Sequence, residues 1–291
     1  MDPTSQTAPK NALGLKNTQA FKAEVSARSA PGGAKNIDQT GWTYLCGPAA
    51  FLFCVARSKP KLYSAYMDGL LKNGVGSIGN LKITVSEAFK KRQKPAVMAD
   101  ADWYGLGPLR EQTGGTAAAA GALVGSRGMQ DATFPEQMMD WFRSAGWQSV
   151  TGRYKTTANA SFQTLVGAQQ HHLAGDDVVL LVEGAVVDEQ RKDRPCFAEG
   201  ANHWVVSAGQ FTISTVWPSR SWSTALTATS SVYDPYRVCG HQRRGRSPTV
   251  GEIMLDVYTW GDIAPSSPYG RQPIERFLSG FYGFVAARPP S

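Results

Sequence analysis

The hydrophobic pattern of this chain changes period once, near residue 178, and that change limits the folds open to it. Before it, apolar residues recur at helical spacing; after it, they come in short β-branched runs. Leu45 to Ala56 is almost wholly apolar and carries Pro48 near its start, where a missing N–H is tolerated. It predicts a buried helix ended by Arg57-Ser58-Lys59-Pro60. Leu62 to Lys72, with Leu62, Ala65, Tyr66, Gly69 and Leu70 at helical spacing, predicts a second, broken by the glycines at 74, 76 and 79. Further helices are expected over Val85 to Arg92, from Phe134-Pro135 through Ser144, and over Thr157 to Ala174. Gly114-Gly115-Thr116 followed by Ala117 to Ala120 fits either a helix or a small-residue loop. Strands are expected at Val178 to Val182, Asn202 to Ser207, Phe211 to Val216, Ser231 to Tyr233, Glu252 to Trp260 and Phe281 to Ala287. Helical patterns first and strands second, without βαβ alternation, imply an α+β fold with an antiparallel sheet.

With 42% apolar and 10% aromatic residues among 291, the chain has ample material for a core. No run reads as a long linker, so a single domain is expected over residues 37–291. Residues 1–36 differ. They are rich in Ala, Ser, Thr, Lys, Gly and Pro, hold one aromatic (Phe21) and contain the breaker cluster Ala30-Pro31-Gly32-Gly33. They are expected to be a flexible leader whose removal barely changes stability. The leader lacks the apolar core of a secretory signal peptide. No stretch approaches the roughly 18 apolar residues needed to cross a bilayer. A soluble protein without a membrane span is expected, cytoplasmic in the producing cell and open to export by a system that needs no cleaved signal.

The net charge of +7 arises from 30 basic and 23 acidic residues, and the densest basic run is His241-Gln242-Arg243-Arg244-Gly245-Arg246. No aromatic residues interleave it and no nucleic-acid motif accompanies it, so it is read as a solvated loop and nucleic acid is not an expected partner. Four cysteines (Cys46, Cys54, Cys196, Cys239) are too few for a disulfide scaffold at this length, and none form a CxxC pair. Cys196 and Cys239 are free to bridge, but nothing in the sequence requires it. No metal site and no cofactor are expected, and the absence of phosphate-binding glycine motifs argues against nucleotide chemistry.

Chemistry concentrates in three short segments. Cys46-Gly47-Pro48-Ala49-Ala50 puts a thiol at the first turn of the expected helix, where the helix dipole and a nearby imidazolium both favour thiolate. A free cysteine is otherwise usually an inert core residue. A reactive one needs a base, and the base an orienter. Of four histidines, His171 and His172 lie in a polar helix end and His241 in the arginine cluster. His203 opens the strand His203-Trp204-Val205-Val206, where it can point into a cleft while the strand anchors it. Ser231-Val232-Tyr233-Asp234-Pro235-Tyr236 ends a strand in Asp-Pro, and Pro235 fixes the direction of the carboxylate before it. Trp42, Trp103, Trp204 and Trp260 are candidates to line a cleft, although aromatic residues are more often core. Asp102-Trp103-Tyr104 and Asp176-Asp177 read as loop turns.

In these three motifs the chain resembles the papain-like cysteine peptidase superfamily, and within it the bacterial C39-like peptidases. The resemblance implies a papain-like fold, with the cysteine at a helix start in an N-terminal helical part and the histidine on a C-terminal antiparallel sheet. It implies Cys46 as nucleophile, His203 as base and Asp234 as the residue orienting that base. The family usually places a glutamine a few residues before the cysteine to donate to the oxyanion. Here Gln39 lies seven residues before Cys46, slightly outside that spacing, and Thr43 or the Cys46 amide are the alternatives. The substrate implied is a protein or peptide. Peptidoglycan amidases, deamidases and transglutaminases use the same triad, and a non-catalytic binding module is the contrasting class. By analogy with signal-less basic proteins of this kind, a bacterial toxin or effector is expected, delivered by contact-dependent or type VI secretion and matched by a cognate immunity protein.

Overall fold

Asn17 starts the first helix. Its side chain accepts the N–H of Ala20 at 2.9 Å, an N-cap that satisfies one of the orphan donors, and α1 runs Thr18–Ser29. Over its described part, residues 11–36, the flexible leader expected at 1–36 is therefore corrected: Phe21, Val25 and Arg28 fall at i, i+4 and i+7 and are buried. A stripe of only three residues, one of them charged, is too sparse to stand out as amphipathic in the sequence. In the computed structural model the described residues are 11–40, 45–113, 133–155, 158–187, 201, 203–217, 220–222, 251–259, 261–265 and 272–291. The single body expected over 37–291 resolves into two compact units, one of residues 1–131 with 144–146 and the other of 132–143 with 147–291.

The first unit is helical. After α1 come a 3-10 turn (Gly33–Asn36), α2 (Cys46–Ser58), α3 (Pro60–Asn73), β1 (Val75–Ile78), β2 (Leu81–Thr84), α4 (Glu87–Lys90) and α5 (Asp100–Thr113). Pro60 sits in the first turn of α3 and Gly74 closes it in the left-handed region at φ 67°. The glycines that end α3 do more than break it. They build an unforeseen β1–β2 hairpin, and Gly76 lies so close on α3 that a Cβ there would come within 2.4 Å of the Tyr66 carbonyl. Asp102-Trp103-Tyr104 is helix rather than loop. Asp100 and Asp102 in the first turn of α5 complement its positive end, and Trp103 packs on Phe89 with ring centroids 4.8 Å apart.

The second unit is an antiparallel sheet with helices. It contains α6 (Pro135–Ser144), β3 (Gln148–Tyr154), α7 (Phe162–Leu173), β4 (Asp177–Val182), β5 (His203–Trp217), β6 (Arg220–Trp222), β7 (Gly251–Thr259), β8 (Asp262–Pro265), β9 (Gln272–Pro273), α8 (Ile274–Ser279) and β10 (Phe281–Arg288). Strand order is β3-β10-β4-β5-β7-β8, with β6 on β5 and β9 on β7, every pair antiparallel. The α+β class read from the pattern change holds. The two strands expected at 202–207 and 211–216 are one, interrupted by a bulge against β7 where the Asp256 carboxylate accepts the Gln210 N–H at 2.8 Å. Asp176 and Asp177 are buried anchors rather than turn residues. Asp177 accepts from the Trp147 indole, and Asp176 accepts from Arg288 and pairs with His171, each at 2.8 Å. One face of the sheet carries α7 and α8 over Val178, Leu180, Val182, Val205 and Val257. The segments 114–120 and 231–233 lie outside the described residues.

Candidate functional site

Cys46 is the first residue of α2 and is partly exposed, whereas Gly47 through Ala56 behind it are all buried. The apolar run drives that burial, and the helix must begin where the run meets the surface. Pro48 falls in the first turn, where its missing N–H has no helical acceptor to lose. No acidic residue stands in that turn and Leu45 at its N-cap gives no side-chain cap, so no carboxylate of the turn itself offsets the positive end of α2. Cys54, two turns on, is completely buried.

Gln39 is buried to 3% exposure rather than sitting on an exposed leader. Its segment is pinned on both sides. Thr40, in the left-handed region at φ 52°, donates its N–H to the Asp38 side chain at 2.8 Å. The Asp38 N–H in turn donates to the buried Asp102 carboxylate. Asp102 is gripped by Arg28 of α1 through two hydrogen bonds of 2.8 and 2.5 Å. The supposed leader thus holds the carboxylate that holds the Gln39 segment, and Arg28, Asp102 and Asp38 are structural contributors that no short motif announced.

The ion pair has a pH signature. Burial pushes the Asp102 carboxyl up more strongly than Arg28 pulls it down, leaving it at about 6. Burial also acts against the Arg28 charge, but there the paired carboxylate more than offsets it and the guanidinium is held above its ordinary value. The two directions differ because a guanidinium is weakly hydrated and loses less on leaving water. An unfolded aspartate titrates near ~3.9. The contribution of Asp102 is thus fully present below about pH 4 and is lost as pH rises through about 6. Going from pH 7.5 to 5 should therefore favour the wild type over Asp102→Asn by about 1 kcal/mol of unfolding free energy. Urea titrations of both proteins at the two pH values check this, and parallel pH dependences would show that Asp102 titrates normally.

His203 belongs to the sheet unit. It is the first residue of β5, pairs with Val182 of β4, is buried, and places Nε2 2.7 Å from the Thr259 hydroxyl of β7. Thr259 is a missed residue, since nothing at Tyr258-Thr259-Trp260 distinguishes it from an ordinary β-branched strand residue. Asp234 and Thr43 lie outside the described residues, as do Cys196, Cys239, His241, Trp42 and Trp260. The structure gives His171 and His172 structural roles at the C-terminal end of α7. His171 pairs with Asp176, and His172 Nδ1 lies 3.0 Å from Ser207 Oγ. Trp103 and Trp204 are core, the latter donating its indole N–H to the Thr133 carbonyl at 2.8 Å. Among the described residues no group of His, Cys, Asp and Glu is arranged to hold a metal ion, and no helix is long and apolar enough to cross a membrane. Comparison with protein-family models, with curated proteins and with solved structures finds no match.

Proposed function

We propose that this chain is a papain-like cysteine hydrolase of the C39-like kind that cleaves peptide bonds, with Cys46 as nucleophile and His203 as base. The observation that carries the reading is Cys46 itself, a partly exposed thiol at the first position of an apolar helix whose first turn holds no carboxylate. His203, buried and anchored at a strand start, supplies the kind of base such a thiol needs. In the reaction the Cys46 proton passes to the imidazole and the sulfur adds to the carbonyl carbon. The Gln39 side-chain amide or the Cys46 backbone N–H stabilises the oxyanion. Collapse expels the amine, which takes the proton from the imidazolium, and water then releases the acyl group. Asp234 keeps the orienting role that the motif implies. Amidase, deamidase and transglutaminase activities share these steps and differ in the acceptor. We further propose that the protein acts on other cells as a delivered effector, with an immunity protein as its partner.

Cys46 should be alkylated by iodoacetamide near pH 6 far faster than any other cysteine of the chain, because thiolate, not thiol, is the nucleophile. Peptide mapping by mass spectrometry after timed labelling reads this directly, and equal rates at all four cysteines would end the hydrolase reading. Proteomic comparison of lysates treated with wild type and with Cys46→Ala then identifies the substrate.

A further inference from the structure

Strand β3 is a terminal strand of its sheet and pairs with β10 alone. Tyr154 lies opposite Gly283, and Lys155 donates its N–H to the Tyr282 carbonyl at 2.8 Å. Bonded and non-bonded pairs alternate along an antiparallel ladder, so Lys155, Arg153 and Thr151 direct their backbone groups to β10. The N–H and C=O groups of Gly152 and Tyr154 therefore point away from the sheet. Among the described residues none of these four groups has a hydrogen-bond partner. Toward the start of β3 the open edge stops at a bulge, where the register with β10 shifts and Ser149 takes φ 50°. The opposite terminal strand, β8, is shorter and ends in Pro265, which has no N–H to offer. Arg153 and Lys155 stand on one face of the open edge by alternation. Both are exposed, and among the described residues no carboxylate pairs with either.

We propose that the outer edge of β3 is an interaction surface for an extended segment of an acidic partner protein, which adds to the sheet as a further antiparallel strand. Its main chain bonds to Gly152 and Tyr154, and two carboxylates two residues apart face Arg153 and Lys155. The residue between them lies opposite Tyr154. Charge decides against the other occupant such an edge could take, a second copy of this chain. A two-fold pairing that uses every outward group sets Gly152 opposite Tyr154 and places Arg153 directly opposite its own copy, where like charges are destabilising. The two cations thus guard the edge against self-association and leave an acidic strand as the pairing they favour. The net charge of +7 draws such a partner in from a distance. The inference is independent of the hydrolase reading.

The probe is the acetylated and amidated hexapeptide Thr-Glu-Val-Glu-Val-Thr, added to the ²H,¹⁵N-labelled full chain. At ~1 mM peptide, which half-populates even a millimolar complex, amide hydrogen exchange at Gly152 and Tyr154 should slow about twofold or more. Exchange at Arg153, already bonded to β10, should stay the same. The double variant Arg153→Glu/Lys155→Glu, changed only at exposed side chains, should bind this peptide roughly tenfold more weakly. It should instead bind Thr-Lys-Val-Lys-Val-Thr, which the wild type does not. Added salt should weaken binding of the acidic peptide to the wild type, which keeps the charge contribution readable if the double variant fails to fold. Exchange at Gly152 and Tyr154 unmoved by the acidic peptide overturns the inference, as does a wild type that binds both peptides alike. Slowing that grows with protein concentration in the absence of peptide puts a second copy on the edge and overturns it as well.

Discussion

Deleting residues 1–36 unfolds the helical unit. Phe21 is 1% exposed and Val25 is buried, and removing a fully buried side chain of this size costs about 1.5–3 kcal/mol in lost burial alone. Arg28 is the larger loss. Without it the Asp102 carboxylate stays buried at the start of α5 with its guanidinium partner gone, and breaking one side of a buried pair costs about 3–5 kcal/mol. Together these approach the ~5–15 kcal/mol by which a whole domain is stable. The truncated chain should lose its cooperative thermal transition by circular dichroism or melt well below the full chain. Arg28→Met alone should account for a large part of the loss. The double variant Arg28→Met/Asp102→Leu should recover some of it, because an apolar pair leaves no unpaired charge behind. A truncated chain that melts at the midpoint of the full chain would show that α1 adds nothing. One practical consequence follows: loss of toxicity on truncation would report folding, so a role of this segment in delivery needs point variants on the exposed side of α1, such as Lys22.

What could be read from the sequence follows a physical pattern. The α2 run was legible because ten consecutive small or apolar residues can be stable only when buried, and the antiparallel strands because β-branched residues cluster in them. α1 was not, because its stability is tertiary: one phenylalanine, one valine and an arginine whose partner is 74 residues away. The same reason hid the first turn of α5, where Asp102 looks like turn chemistry until Arg28 is beside it. The bulge in β5 disguised one long strand as two, since Ala208-Gly209-Gln210 carries a loop composition and its closing bond comes from Asp256 on another strand. The helix start at Cys46 and the strand start at His203 were legible because both patterns are local. Thr259 was not, because a threonine in a strand is commonplace until a histidine lies 2.7 Å from it.

Cys46→Ala and His203→Gln should each abolish peptide hydrolysis, and the double variant should be no worse than either single one. Nucleophile and base act as a unit: without the base the thiol is rarely ionised when substrate is bound, and without the sulfur the base has nothing to activate. In catalytic units of this type a single removal lowers kcat by roughly 10⁴- to 10⁶-fold, and combined removals fall far short of additive. Neither change should disturb the fold of its unit. Cys46 lies at the helix start rather than in the helix interior, so its truncation opens no enclosed cavity. His203→Gln keeps a polar group within reach of the Thr259 hydroxyl. The measurement is kcat/KM on the best peptide found by the substrate search, with thermal midpoints recorded alongside. Independent, multiplying losses would mean that the two residues serve separate functions, and full activity in Cys46→Ala would remove the nucleophile altogether. The effector proposal is tested with the same variants expressed inside bacteria. Wild type should arrest growth and both single variants should not; growth unaffected by wild type would set aside an antibacterial role and leave the hydrolase chemistry to be judged by the kinetics alone.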